Sequence, residues 1–430
     1  MGAAIIDGLK SAYRREYERN PVFTLFLTIL IVFFIIFVIA AIITRGDTVI
    51  NVFNEVRGNL FSDYFEMVAT SNDRPYHVIY PPLIVVFYSV IRHFITPFAG
   101  IPPGASLDEQ IMLLRGSQMG IMSFFIITIV TYFVLYLIFS KVIKEKGIRK
   151  ELLFVFLVLL AYPFLYALER GNSIILALVF CFLFLMGYRS ENKYVRYASY
   201  IALGCAAGIK IYPAILGLLI LRDKRYKEMA ICVLIVAALA FVPFIVTGGN
   251  PLILFDNIFS WAGESLGFTN ITQIMTAILQ EGLGFEGTIV SVISYAVLGI
   301  FTVLSFIVIL FDKEMKYWKV VALIGCNLVI GFGIGVQYQV IYMLPAMLLF
   351  LNSEKEMTKE TLFYVISFAM MMALIPGINI GFSLFGAAAY PSAVIGAIET
   401  AFVIVVAIAL LREGIGRLLR NRSSKADAAT

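Results

Sequence analysis

The feature that most constrains this chain is a run of 22 residues, Val22–Ile43, that contains no charged side chain. An α-helix rises about 1.5 Å per residue, so about 20 apolar residues cross the roughly 30 Å hydrocarbon core of a bilayer. Similar runs recur along the chain, in which 61% of the 430 residues are hydrophobic and only 14% are charged. The runs are continuous and do not alternate with polar residues. This pattern excludes a transmembrane β-barrel and predicts an all-α polytopic membrane protein.

The short loops between these runs predict the orientation of the chain. Basic residues concentrate in 141–151, 189–197, 222–228, 312–319 and the tail 412–430. The positive-inside rule places such loops in the cytoplasm, and residues 248–288, with four acids and no Lys or Arg, outside. We expect one integral membrane domain over residues 1–430, about 12 spans and both termini inside. The net charge of +5 follows from these loops, so no nucleic-acid partner is predicted.

Two apolar segments do not fit single crossings. The loop after Tyr80–Pro97 must lie on the same side as the loop before it if 141–151 is cytoplasmic, so this segment is expected to stay at the membrane surface. Residues 198–221 are flanked by basic loops on both sides and are too short for two full crossings. They predict a re-entrant hairpin or two short helices, with Lys210 and Tyr212 near the turn. A lysine inside an apolar segment is costly unless it is paired or hydrated.

Candidate chemistry concentrates in the polar segment after the first span, at the start of a predicted outer loop, 44–117. Residues 44–82 contain five carboxylates (Asp47, Glu55, Asp63, Glu66 and Asp73), His77 and the corner Tyr80-Pro81-Pro82. Helical spacing places Asp63 and Glu66 on the same side of one turn. Acids in an outer loop are mostly solvated and a loop histidine is usually structural, so both interpretations stay open for these residues.

A second polar group interrupts the apolar runs at Glu169-Arg170-Gly171-Asn172. The guanidinium of Arg170 presents a fork of donors that suits phosphate, and Glu169 could orient it. An ordinary interfacial turn explains the same four residues. Asn270 and Gln337 offer uncharged groups suited to sugar hydroxyls, although helix capping or helix–helix contacts explain them equally well.

The order of these motifs resembles the membrane glycosyltransferases of the GT-C superfamily, and most closely glycosyltransferase family 87, a mannosyltransferase-like group. The resemblance rests on SDYFEMV around Asp63, PYHVIYPPL up to Leu83, ERGNSIILAL from Glu169 and AAGIKIYPAILGLLIL around Lys210. It covers about the first half of the chain, to roughly Leu221, and beyond that only hydropathy agrees.

The resemblance implies a GT-C type helical bundle and an inverting, metal-independent transfer of a hexose, mannose above all. The donor would be a polyprenyl-phosphate sugar and the acceptor a lipid or a glycan, at the outer face of the plasma membrane. Asp63 would be the catalytic base, and Arg170 and Lys210 would bind the donor phosphate. Supporting roles would fall to Glu66, His77, Tyr80, Glu169, Asn172, Tyr212, Asn270 and Gln337. No glycine-rich phosphate loop and no DxD pair occurs, so neither a metal ion nor a cofactor is expected.

Two other functions remain compatible with the residues. A secondary transporter could use Arg170 and Lys210 as substrate or ion sites, but its acids would lie within the spans, whereas here they cluster outside them. A lipid-linked glycan ligase or polymerase shares the topology class, and a larger outer loop rich in Arg or His would be expected of it.

Overall fold

Helices make up nearly all of the computed structural model, which describes residues 2–53, 60–72, 79–145, 147–262, 276–331, 337–377, 383–384, 387–388 and 391–427. His77 and Asn270 lie outside these residues. The helices of the first part are α1 (Gly2–Arg19), α2 (Pro21–Ile43), α3 (Asp47–Val52), α4 (Ser62–Thr70), α5 (Pro82–Ala99), α6 (Leu107–Gly116), α7 (Gln118–Val142), α8 (Ile148–Leu159), α9 (Tyr162–Arg170), α10 (Ile174–Gly187) and α11 (Lys193–Ile209).

The second part continues the same architecture with more interruptions. Its helices are α12 (Leu218–Arg222), α13 (Tyr226–Phe241), α14 (Phe244–Thr247), α15 (Pro251–Ala262), α16 (Gly287–Phe311), α17 (Tyr317–Ile330), α18 (Leu344–Ser353), α19 (Lys359–Met371) and α20 (Pro391–Asp427). Two 3₁₀ segments, Tyr212–Gly217 and Gln337–Met343, and a π-helical segment, Thr276–Gly282, interrupt them. Two strands of two residues each, Ser383–Leu384 and Ala387–Ala388, pair antiparallel. The C-terminal tail after Arg412 continues α20 as far as Asp427.

Within the described residues, six helices are long and apolar enough to span a membrane. They are Pro21–Ile43, Pro82–Ala99, Gln118–Val142, Tyr226–Thr247, Gly287–Phe311 and Val394–Asn421. The pair α8 and α9, bent by 56°, makes a seventh if it is counted as one broken span. The expected number of about 12 spans is therefore not confirmed. Three further apolar helical stretches, 174–187, 212–222 and 317–330, are too short to count by the same criteria.

Ion pairs join segments that the sequence assigned to the cytoplasm, and they connect to them the loop at Lys355, whose side the sequence did not assign. Glu145, after α7, pairs with Arg19 before α2 at 3.1 Å and with Lys355 after α18 at 3.2 Å. Arg189 pairs with Asp223 at 2.8 Å, and Arg417 pairs with Asp312 at 2.8 Å. The grouping of these loops by charge is thus matched by direct contacts between them.

The Arg19–Glu145 pair also constrains the segment between α2 and α7. Because α2 begins and α7 ends beside this pair, the end of α2 and the start of α7 share the other face of the bundle. The chain must therefore cross the membrane an even number of times between these two helix ends. If α5 crossed, α6 would have to cross back, and with 10 residues it is too short to do so. Although α5 has the length and composition of a span, this connectivity supports the prediction that it stays on the outer side.

Small residues bring α11 close to its neighbours. A Cβ on Gly204 would lie 2.6 Å from Leu239 Cδ1 of α13, and one on Gly208 would lie 2.6 Å from Leu83 Cδ2 of α5. Real Cβ atoms are not found so close, so glycine is what permits these contacts. The helix ends at Lys210, and a 3₁₀ segment and the short α12 follow. The segment 198–221 is thus broken near Lys210 and Tyr212, where the sequence predicted either the turn of a re-entrant hairpin or the junction of two short helices.

Candidate active site

The short helix α4 begins with an unusual backbone conformation that presses it against the end of α9. Phe61, which precedes α4, has a φ of 60°, a left-handed conformation that costs a non-glycine residue about 1–2 kcal/mol. Its backbone N–H donates to the carbonyl of Glu169 at 2.6 Å, and its ring stacks on Phe124 with centroids 4.0 Å apart. These two contacts offset the strain and fix the position of α4.

Gly171 makes the turn after α9 and permits the same close approach. Its φ is +65°, and an added Cβ would meet Tyr64 Cβ at 2.8 Å and Phe124 at 3.2 Å. Glycine alone combines this left-handed conformation with the absence of a side chain at the contact. The turn therefore holds Arg170 on one side and Asn172 on the other, directly against α4.

Two residues of this turn, Arg170 and Asn172, donate hydrogen bonds to the carboxylate of Asp63. Arg170 Nε donates to Asp63 Oδ1 at 2.9 Å and Nη2 donates to the same oxygen, while Asn172 Nδ2 donates to Oδ2. Asp63 is 7% exposed. Each carboxylate oxygen can accept about two hydrogen bonds, so Oδ1 is filled, and among the described residues Oδ2 retains one acceptor position. The carboxylate is oriented in advance and keeps one site for a proton donor.

Asn172 extends this cluster to two tyrosines. Its Nδ2 lies 3.2 Å from the hydroxyl of Tyr80 and 3.1 Å from that of Tyr338. Its Oδ1 accepts from the backbone N–H of Ile174 at 3.0 Å, which fixes the orientation of the amide. The amide thus joins α4, the corner before α5 and the 3₁₀ segment 337–343 at one point.

Lys210 lies next to the same two tyrosines. Its Nζ is 4.0 Å from the ring centroid of Tyr80 and 5.9 Å from that of Tyr338. The side chain is buried and interacts electrostatically with Asp63 and Arg170. Within the described residues no carboxylate forms an ion pair with it. A desolvated ammonium over an aromatic ring gains about 2 kcal/mol, which does not replace an anion.

Glu66 faces the same space from the next turn of α4, three residues after Asp63. Desolvation by the surrounding protein raises the pKa of its carboxyl, the Asp63 carboxylate raises this pKa further, and Arg170 opposes the rise. Its side chain nevertheless remains open at the surface of the site. Among the residues that the structure describes, no group donates a hydrogen bond to this carboxylate.

Three of the remaining predicted site residues take other positions. Glu169 is buried behind the turn. Tyr212 lies in a layer next to the site, where its ring packs edge to face on that of Tyr342 with centroids 5.6 Å apart. Gln337 packs against α20, where a Cβ on Gly396 would lie 2.2 Å from its Cγ.

Gln337 was the residue predicted for the site in Gln337-Tyr338-Gln339, and the structure brings its neighbour Tyr338 to Asn172. Tyr338, which contacts Asn172 and Lys210, was not selected as a site residue. The sequence feature that marks this segment is the presence of three polar residues in an apolar stretch. Which of the three turns toward the site depends on the 3₁₀ geometry of 337–343, and helical or strand periodicity does not predict it.

A groove lined by residues of α5, α7, α9 and α10 lies next to this cluster. Its walls are mainly apolar and include Phe87, Phe124, Ile127, Tyr132 and Leu176. Gly171 and Asn172 also line it, so one end of the groove meets the Asp63 cluster.

The model of glycosyltransferase family 87 matches residues 79–332, more than half of the chain. The match contains Tyr80, the turn at Arg170 and Lys210, and it extends well beyond Leu221, where the motif resemblance ended. It does not reach Asp63 and Glu66 on one side or Tyr338 on the other. No curated protein and no solved structure matches the chain.

Proposed function

We propose, on the premise that this chain belongs to glycosyltransferase family 87, that it transfers a hexose from a polyprenyl-phosphate sugar to a lipid or glycan acceptor. Membership of the family makes it a membrane glycosyltransferase. The proposal adds mannose as the first candidate sugar, inversion at the anomeric carbon and independence from metal ions. It also places the reaction on the extracytoplasmic side of the plasma membrane.

The observation that carries the proposal is the buried cation at Lys210. Its ammonium is enclosed by protein, lies over the ring of Tyr80 and has no ion-pair partner among the described residues. The positive charge of Arg170 is already matched by Asp63. Lys210 is therefore the cation of the site that no described carboxylate pairs with, and the phosphodiester of a polyprenyl-phosphate sugar carries one negative charge. We assign the donor phosphate to Lys210, and Arg170 acts mainly by orienting Asp63.

Asp63 is placed to act as the general base. The acceptor hydroxyl donates its hydrogen to the remaining acceptor position on Oδ2, and its oxygen attacks the anomeric carbon of the donor. The proton passes to Asp63 while the bond from the anomeric carbon to the phosphate oxygen breaks, and the phosphate departs with that electron pair. Lys210 stabilises the charge that develops on the phosphate, where a low-dielectric site makes this interaction strong.

The apolar groove that ends at Asn172 supports a lipid-linked donor. A polyprenyl tail is insoluble in water and must reach the site from the bilayer, and the apolar side chains of this groove would suit its first isoprene units. A water-soluble nucleotide sugar would have no use for this groove.

Transfer of label tests the proposal. Purified protein in lipid nanodiscs is incubated with radiolabelled polyprenyl-phosphate mannose or polyprenyl-phosphate glucose and a membrane lipid extract as acceptor. We expect label in a new lipid or glycan product, and we expect Lys210→Met to raise the KM for donor about tenfold or more while the protein stays folded. Lys141→Met, which removes an exposed lysine, is the matched control. Normal donor KM in Lys210→Met would remove Lys210 from the phosphate site.

A further inference from the structure

A carboxylate that the proposed reaction does not use lies at the open side of the site. Glu66 lies one helical turn after Asp63 and interacts electrostatically with Asp63 and Arg170. It also interacts electrostatically with Tyr80. Asp63 takes hydrogen bonds from Arg170 and Asn172, whereas no described residue donates one to Glu66. Its exposed carboxylate therefore has acceptor positions that are available to a ligand.

The arrangement of the two acids restricts what that ligand can be. Asp63 has room for one hydroxyl, on Oδ2, and Glu66 follows it on the same side of α4 with both oxygens available. Two parallel oxygens suit a pair of adjacent hydroxyls, as on a sugar ring. The donor phosphate is repelled by this charge and belongs near Lys210 instead.

We propose that Glu66 binds a vicinal diol of the acceptor, next to the hydroxyl that Asp63 deprotonates. This inference rests on the proposed function and narrows its acceptor from any lipid or glycan to one that presents a sugar ring. Glu66 is then a positioning residue for the acceptor. A simple lipid alcohol, with a single hydroxyl, is a poor substrate.

The first test uses periodate, which cleaves vicinal diols and leaves isolated alcohols intact. The membrane lipid extract is treated with periodate and borohydride, or with borohydride alone, and offered to the wild-type protein with the labelled donor. We expect the periodate-treated extract to lose its acceptor capacity and the control extract to keep it. Label carried equally by both extracts overturns the diol assignment while leaving the transferase itself in place. Failure of the wild type to label either extract, with any donor, overturns the proposed function and this inference with it.

The second test separates acceptor binding from chemistry. Glu66→Gln is expected to raise the KM for acceptor about tenfold or more, with the KM for donor unchanged, because one charged acceptor group is lost. Glu109→Gln, which changes an exposed carboxyl on α6, is the matched control. A loss of kcat with normal acceptor KM would make Glu66 the base, and a change confined to donor KM would place it on the donor; either result overturns the proposal.

The pH dependence gives a readout that a purely structural role would not produce. The ionised form of Glu66 binds hydroxyls more strongly, so the acceptor KM of the wild type should rise as the pH falls through the raised pKa of Glu66. The groups that face Glu66 are Asp63, Arg170 and Tyr80, and of these Asp63 acts on kcat. Glu66→Gln should abolish the pH dependence of acceptor KM. Persistence of that dependence in the variant refutes the assignment.

Discussion

Replacement of Asp63 by asparagine tests the centre of the proposed mechanism, because it keeps the shape of the side chain and removes its charge. The structure predicts two separate effects. General base catalysis contributes about 10²- to 10⁴-fold, so turnover should fall by about a hundredfold or more. This loss corresponds to about 2.7 kcal/mol in the activation free energy.

The second effect is on stability. Arg170 and Asp63 have side-chain exposures of 25% and 8%, so their ion pair is mostly but not fully withdrawn from water. Removal of one partner from a fully buried pair costs about 3–5 kcal/mol. Because a quarter of the Arg170 side chain stays exposed and the asparagine oxygen can still accept a hydrogen bond, we expect a loss of about 2 kcal/mol in Asp63→Asn.

The assay measures both quantities on the same preparations. Turnover is followed with labelled donor, and stability is followed by thermal unfolding in detergent. Arg170→Gln separates the two effects, because it breaks the same ion pair without removing the base and should destabilise the protein similarly with a smaller loss of turnover. Asp108→Asn, at an exposed acid of α6, should behave as the wild type. Wild-type turnover in a folded Asp63→Asn protein would refute the assignment of the base.

Two further predictions concern the turn and the topology. Gly171→Ala should lower the thermal unfolding temperature and reduce turnover more than tenfold, because a Cβ at a φ of +65° would lie 2.8 Å from Tyr64 Cβ and would displace Arg170 and Asn172. The control is Gly116→Ala, because nothing lies within 4 Å of an added Cβ there, and equal activity of the two variants would contradict this view of the turn. In a cysteine-free background, a cysteine at Asp108 should react with an impermeant thiol reagent in intact cells and one at Lys193 only after permeabilisation, whereas protection of position 108 would mean that α5 crosses the membrane.

The class of fold could be predicted from the sequence because a bilayer imposes length and polarity on every segment that crosses it. The same physics predicted a break near Lys210, because residues 198–221 lie between two basic loops and are too short for two full crossings. The number of spans could not be predicted. The helix 174–187 is short and apolar throughout, and the bent pair α8–α9 is apolar between its charged ends. Hydropathy does not distinguish a broken crossing from two separate elements.

The residue types of the site could be predicted, whereas their pairing could not. Asp63 and Arg170 are separated by 107 positions, and only the packing of α4 against the turn at Gly171 brings them together. That packing depends on a strained Phe61, a feature without any marker in its residue type. The pairing changes the mechanism that we propose, because an arginine paired with the proposed base is no longer the expected main phosphate ligand. In that proposal Lys210 is the cation for the donor and Glu66 the carboxylate for the acceptor, and Asp63, oriented by Arg170 and Asn172, is the base between the two substrates.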